Sequence, residues 1–147
     1  MLKVGAMLPS EWTEQDLAPV HDFLSREASW ARGIPRATLE RALANSICYS
    51  GHVDGRLVAF ARAVTDQATF AYLADVFVLP AHRGRGHART IVKALMDDPR
   101  LQDLRRWHLV TKDMQRLYAS LGFSELAEPA QHMQKHDPDV YGRQGNG

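Results

Sequence analysis

The chain is poor in cysteine, in net charge and in long apolar runs, and each shortage removes a class of answers. Cys48 is the only cysteine among 147 residues, so no intramolecular disulfide exists and a reducing, cytosolic setting is expected. Lys and Arg number 18 against 17 Asp and Glu, a net charge of +1, which gives no wholesale attraction to nucleic acid or to a membrane surface. No apolar run approaches the roughly eighteen residues a membrane span needs, and the N-terminus has no signal-peptide pattern. These absences point to a cytoplasmic protein without nucleic-acid or membrane partners. Internal repeats, low-complexity tracts and interdomain linkers are missing too. The hydrophobic share of 45% and charged share of 24% are those of an ordinary globular chain, long enough for one proper core.

What is present alternates between strand and helix patterns. Val4 to Leu8 reads as a first strand. Asp16 can cap a helix from Leu17, with Pro19 in its first turn, and Leu17, Val20 and Leu24 share a face. Ser29 to Gly33 breaks the pattern, and Pro35 opens a second helix that Asn45 and Ser46 close. Ile47 to Val53 and Arg56 to Thr65 flank Asp54-Gly55, a two-residue hairpin signal. A turn at Asp66-Gln67 leads to a third strand, Thr69 to Leu79. A helix with Ile91, Val92 and Leu95 on one stripe follows, stopped by Pro99. Trp107 to Thr111 reads as a strand parallel to the one ending at Leu79, because a helical crossover joins them. Met114 to Leu121 suggests a short helix with Gly122 at its end. Strands are expected from Phe123 and over Gln131 to Lys135, then a loose polar tail from Asp137 to Gly147. The pattern predicts one mixed αβ domain over residues 1–136, its mostly antiparallel sheet carrying one parallel pair, flanked by about four helices.

The informative stretch joins the meander to the third helix: Val76-Phe77-Val78-Leu79-Pro80-Ala81-His82-Arg83-Gly84-Arg85-Gly86-His87-Ala88. A strand, a glycine turn and a helix start make an anion site, with phosphate the usual guest. A nucleotide P-loop needs a terminal Gly-Lys-Ser/Thr, and Arg85-Gly86-His87 does not supply it. A dinucleotide fingerprint needs a small residue where Arg89 stands, and a mainly parallel sheet.

The run from Val78 through Pro80, Arg83, Gly84, Gly86 and Ala88 resembles the acyl-CoA loop of the GNAT superfamily of N-acyltransferases, whose core is Gln/Arg-x-x-Gly-x-Gly/Ala. Leu117-Tyr118-Ala119-Ser120-Leu121-Gly122-Phe123 is similar to that family's Leu-Tyr-x-x-x-Gly-Phe, and the order of elements agrees over roughly residues 1 to 135. Ser29-Trp30-Ala31, Asn45-Ser46 and Thr111-x-Asp113 look like those of a subgroup of small bacterial members. Many relatives carry an asparagine seven residues before the tyrosine; here that position is Thr111.

The resemblance implies transfer of an acetyl group from acetyl-CoA to a primary amine, by direct attack in a ternary complex and without a metal. The diphosphate would rest on the amides from Arg83 to Ala88, with Arg83, Arg85 and Arg89 adding charge. Gly84, Gly86, His87 and Ala88 belong to that turn, while Val76, Phe77, Val78 and Thr111 would face the pantetheine arm. The N–H of Val78 is the expected oxyanion donor. Tyr118, with a reference pKa of about 10, is either the general acid for the departing thiolate or a core tyrosine. Asp75, facing the acceptor, either takes the amine's proton through water or holds the acceptor cation, or else it forms an ion pair or a backbone hydrogen bond. Asp66, His52 and His108 are weaker bases. Trp30 lines the acceptor pocket or packs in the core. His132 and His136 have a metal-ligand spacing but no partnering acid or cysteine, and Cys48 reads as a small buried hydrophobe. The acceptor is a small-molecule or peptide amine, the protein a monomer or homodimer. A non-catalytic acyl-CoA sensor is the alternative.

Overall fold

Asp54 and Gly55 both adopt positive φ, 51° and 78°, the two left-handed positions that let a two-residue turn follow the twist of its strands. That turn joins β2 (Ile47–Val53) to β3 (Arg56–Thr65). β1 (Lys3–Met7) pairs antiparallel with β2, and β4 (Phe70–Val78) pairs antiparallel with β3. β5 (Arg106–His108) lies parallel to β4, completing a five-stranded sheet in the order β1-β2-β3-β4-β5. The coordinates are a computed structural model and describe residues 1–144. The fold is the expected mixed αβ domain, with one parallel pair.

Helices cover both faces. On one side α1 (Glu14–Asp22), a π-helical turn (Phe23–Glu27) and α2 (Arg36–Ala44) bury Val20, Phe23, Leu24, Leu39 and Leu43 against Phe60 and Phe77. On the other, α3 (His87–Met96) presents Ile91, Val92 and Leu95, all fully buried, to Ala59, Ala61, Ala63 and Leu73. The three alanines keep that face of β3 low, so the helix seats closely. Each of the three large side chains contributes about 1.5–3 kcal/mol by leaving water. A short α4 (Gln115–Ala119) adds Tyr118 to this second core. No helix among the described residues is long and apolar enough to cross a membrane.

The structure departs from the sequence pattern at several places. α1 starts at Glu14 because the Thr13 carbonyl already accepts from Asp16 and Leu17, so Pro19 lies inside the helix and leaves the Gln15 carbonyl without its usual donor. Asp16 is not the cap; its carboxylate pairs with His52 at 2.9 Å. β5 is shorter than expected, since β4 and β5 are paired only from Phe70↔Arg106 to Tyr72↔His108 and Leu109 to Thr111 have no strand partner. The strands expected from Phe123 and over Gln131 to Lys135 do not form. That stretch holds only a 3-10 turn, Pro129–Gln131, and the side chains from Gln131 to Lys135 are exposed, Met133 included, so no buried face fixes a register. Within the polar C-terminal segment, α5 (Val140–Gln144) forms, Tyr141 packs on the first core and Asp137 pairs with Arg143. Residues 145–147 of that segment lie outside the described residues.

Candidate active site

The parting of β4 and β5 opens the site. Between β3 and β4, Arg62 faces Ala74 and Phe60 faces Phe77, so Ala61 stands opposite two residues, Asp75 and Val76. This is a β-bulge, with Asp75 at φ 55°, and it turns the strand away from β5 just beyond Tyr72. The resulting cleft encloses about 600 Å³. Phe23, Glu27, Ala28 and Trp30 form one wall, Val76 to Val78 the floor, the glycine loop one end, and Asp113, Met114, Leu117 and Tyr118 the opposite wall. A shallower groove of about 1490 Å³ adjoins it, sharing Phe23, Glu27 and His82.

The loop is built for an anion. Gly84 and Gly86 both sit at φ 77°, where any other L-residue is strained, and Gly86 is the N-cap of α3. A Cβ at either would meet no atom within 4 Å of protein, so backbone conformation alone demands glycine there. The first backbone donor that α3 satisfies is Thr90 N–H, to the Gly86 carbonyl. The six amides from Gly84 to Arg89 therefore have no acceptor among the described residues, and they cluster at the positive end of a ten-residue helix.

The side chains of the loop divide their work. Arg83 folds back so that Nε donates to the Val78 carbonyl at 3.0 Å, fixing the loop against the end of β4. Arg89 Nε donates to Ser120 Oγ at 3.3 Å and ties α3 to α4. Arg85 is exposed and does not line the cleft, whereas His87 and Ala88 do.

Val78 has the orientation an oxyanion donor needs. Leu79 N–H bonds to the Val58 carbonyl at 2.8 Å, so it points toward β3. Backbone groups alternate along a strand, and Val78 N–H therefore points the other way, toward the gap left by β5.

Tyr118 is locked in place by the turn that follows it. Phe123 N–H bonds to the Tyr118 carbonyl at 3.0 Å and Gly122 N–H to the Ala119 carbonyl at 3.1 Å, with Gly122 at φ 100°. This is a Schellman ending, and its hydrophobic clasp is the edge-to-face contact of Phe123 on Tyr118, centroids 5.8 Å apart. The Tyr-x-x-x-Gly-Phe spacing is thus a way of holding one ring. The ring is buried, and burial raises the phenol above its ordinary value. Its hydroxyl has no hydrogen-bond partner among the described residues, on a side chain that lines the cleft.

Asp75 is engaged on both carboxylate oxygens. Oδ2 accepts from Arg62 Nε at 2.9 Å and Nη2 at 2.8 Å, while Oδ1 accepts from Trp30 Nε1 at 2.8 Å. This is the ion-paired arrangement, on a side chain only 8% exposed. Trp30 is not a core aromatic, being 56% exposed on the cleft wall. Thr111 does not line the cleft; its hydroxyl accepts from Met114 N–H at 3.1 Å and caps the turn into α4. Asp66 is a turn residue, holding the amides of Ala68, Thr69 and Phe70. The Thr69 hydroxyl and those amides keep its carboxyl well below the usual range. His108 stacks on His132 and meets Tyr72 at a tilt, and burial, then His132 and Arg106, lowers its pKa. Among the described residues no group of three or more His, Cys, Asp or Glu is arranged to hold a metal, at His132 and His136 or elsewhere. Cys48 is buried, and its thiol is pushed up to about 12 by burial.

The sequence profile of the Acetyltransferase (GNAT) family matches residues 17–123. The chain belongs to that family. A GNAT-family protein of Xanthomonas campestris pv. campestris has a crystal structure that superposes with a TM-score of 0.87 at 45% identity, over 95% of this chain and 96% of that one. A Gibberella zeae protein bearing an acetyltransferase name is 33% identical, with 67% of each chain covered. A Clostridium acetobutylicum acetyltransferase structure with acetyl-CoA shares the fold at a TM-score of 0.66 and 15% identity, over 92% of this chain and 96% of the other.

The cleft and the hydrogen-bonded network behind it contain residues that the sequence did not single out. Arg62 and Glu27 are the main ones. Arg62 is separated from Asp75 by thirteen residues and meets it only because β3 and β4 pair across a bulge. Phe23 stacks on Phe77 at 4.2 Å and reads in sequence as an ordinary core residue.

Proposed function

We propose that this protein is an N-acetyltransferase that moves an acetyl group from acetyl-CoA to a primary amine within a ternary complex. The observation that carries this reading is the six-amide turn from Gly84 to Arg89, end-on to α3 and continuous with a cleft where Val78 N–H and the Tyr118 hydroxyl both lack partners among the described residues. Free amides at a helix N-terminus suit a diphosphate, and the split between β4 and β5 suits an extended arm. The likeness to a fold determined with acetyl-CoA supports the choice of donor.

The chemistry then follows from the chain's own groups. Val78 N–H donates to the thioester oxygen as it gains charge. The neutral amine attacks the carbonyl carbon, a C–N bond forms and the C–S bond breaks. Tyr118 gives its proton to the departing sulfur, and the phenolate recovers one from the nitrogen, so the products are an amide and a free thiol. A buried phenol with its pKa raised remains protonated through neutral pH, as an acid must. Asp75 acts through Trp30 and Arg62 in this mechanism and is not the proton acceptor.

The test is thiol release from acetyl-CoA against a broad panel of primary amines, for the native chain and Tyr118→Phe. Loss of a general acid is worth about 10²–10⁴-fold in kcat. Because the hydroxyl has no partner among the described residues, the variant should keep its Tm. Undiminished turnover in Tyr118→Phe at every pH removes the tyrosine from the reaction. Tight acetyl-CoA binding with no thiol released by any amine favours the sensor alternative.

A further inference from the structure

Trp30 is held with unusual care for an exposed residue. Its single polar atom donates to Asp75 at 2.8 Å, and Asp75 is gripped by Arg62. Arg62 Nη1 donates to Ser46 Oγ at 3.1 Å, and Ser46 Oγ in turn donates to the Ala42 carbonyl at the end of α2 at 2.7 Å. A chain of hydrogen bonds thus runs from the helix through the bulge to the indole, fixing the ring while more than half of its surface stays open. Three residues earlier on the same wall, Glu27 ends the π-helical turn and lines the cleft. Its carboxylate has no hydrogen bond or ion pair among the described residues. Asp113, the other carboxylate in the cleft, stands on the opposite wall beside Met114. A fixed aromatic ring and an uncommitted carboxylate lining one cleft suit a cationic guest, since the ring quadrupole and the negative charge attract the same group.

Resting on the acetyltransferase reading above, we propose that Trp30 and Glu27 form the acceptor-recognition subsite and select an amine that carries a second cationic group. The Ser46–Arg62–Asp75 chain positions the indole, which explains why Asp75 is committed to Trp30 and Arg62 at the bulge.

Two probes of matched length test this: 1,4-diaminobutane, cationic at its far end, and 4-amino-1-butanol, neutral there. Thiol release from acetyl-CoA is measured with the full chain. The native protein should prefer the diamine by about tenfold or more in kcat/KM. Glu27→Gln should bring that preference close to one by raising the diamine's KM, leaving the KM for acetyl-CoA and the Tm unchanged. Trp30→Ala should raise the diamine's KM severalfold, with partial recovery in Trp30→Phe, which restores a ring but not the Nε1 anchor. A native preference for the aminoalcohol, an intact preference in Glu27→Gln, or its loss in Asp113→Asn instead would each overturn the proposal. If other amines release thiol while neither probe does, the subsite is wrong and the transferase reading stands. If no amine releases thiol, both fall.

Discussion

Asparagine at position 75 separates a positioning role from a proton-accepting one. Asn tolerates the left-handed backbone that φ 55° imposes, so Asp75→Asn removes charge with little added strain. It leaves Arg62, only 16% exposed, facing a neutral amide that can offer its single oxygen to Arg62 or to Trp30 but not both. Breaking one partner of a fully buried pair costs about 3–5 kcal/mol, and the residual exposure here scales that to about 2–3 kcal/mol. For a domain of this size the loss corresponds to a fall in Tm of about 6–12 °C. Asp75→Ala should lose about 1 kcal/mol more, because a Cβ-bearing residue without a short polar side chain is strained at positive φ. The assay pairs thermal unfolding with a pH–rate profile of thiol release. Positioning predicts lower stability, a raised acceptor KM and an acidic limb of kcat that stays where it was. An Asp75→Asn variant as stable as the native chain, with kcat collapsed and that limb gone, would refute the reasoning and restore Asp75 as the base.

Gly86→Ala should weaken acetyl-CoA binding and cost about 1–2 kcal/mol of stability, because alanine cannot hold φ 77° without strain and the released loop scatters its amides; calorimetric titration with acetyl-CoA and a melting curve read the two effects. Stability should fall as pH rises from about 9 to about 12. Cys48 and Tyr49 both have folded pKa values raised to about 12, Cys48 by burial and Tyr49 by burial and its bond to Asp98, so the folded state keeps protons that the unfolded chain releases. Urea midpoints across that range should slope less steeply in Cys48→Ala, whose thiol no longer titrates.

What could be read in advance was whatever the backbone demands of particular residue types. Asp54-Gly55 and Gly84-x-Gly86 impose positive φ, and both were visible as turns. The tyrosine motif was visible for the same reason: Gly122 ends the helix and Phe123 returns to the ring of Tyr118. Features that depend on pairing across the sheet were hidden. Nothing in the sequence brings Arg62 to Asp75 until the register slips at the bulge, and nothing frees Glu27 while uniting Trp30 with Asp75. The strands expected from Phe123 and over Gln131 to Lys135 have no counterpart, because the side chains from Gln131 to Lys135 are exposed and no buried face fixes a register there.

This division follows the chemistry of the two substrates. A diphosphate is recognised by N–H groups that every residue carries, so its site is encoded in conformation and leaves a glycine signature. An acceptor is recognised by side chains, and in the proposed subsite those lie on the π-helical turn and the loop at Trp30, backed by a strand bulge. Trp30 and Glu27 are both exposed, so replacing either should change neither the fold nor the six amides at α3. Under the proposed reading the same scaffold could exchange acceptors while its donor site stays fixed, and the hydrogen-bond chain that reaches Trp30 from Ser46 would be the physical mark of acceptor choice. That chain makes a specific demand on Arg62. Lysine there could keep the charge opposite Asp75 but could not donate from Nε to Asp75 and from Nη1 to Ser46 in one plane. Arg62→Lys should therefore loosen the indole and blunt discrimination between amines more than it lowers the rate with any one of them.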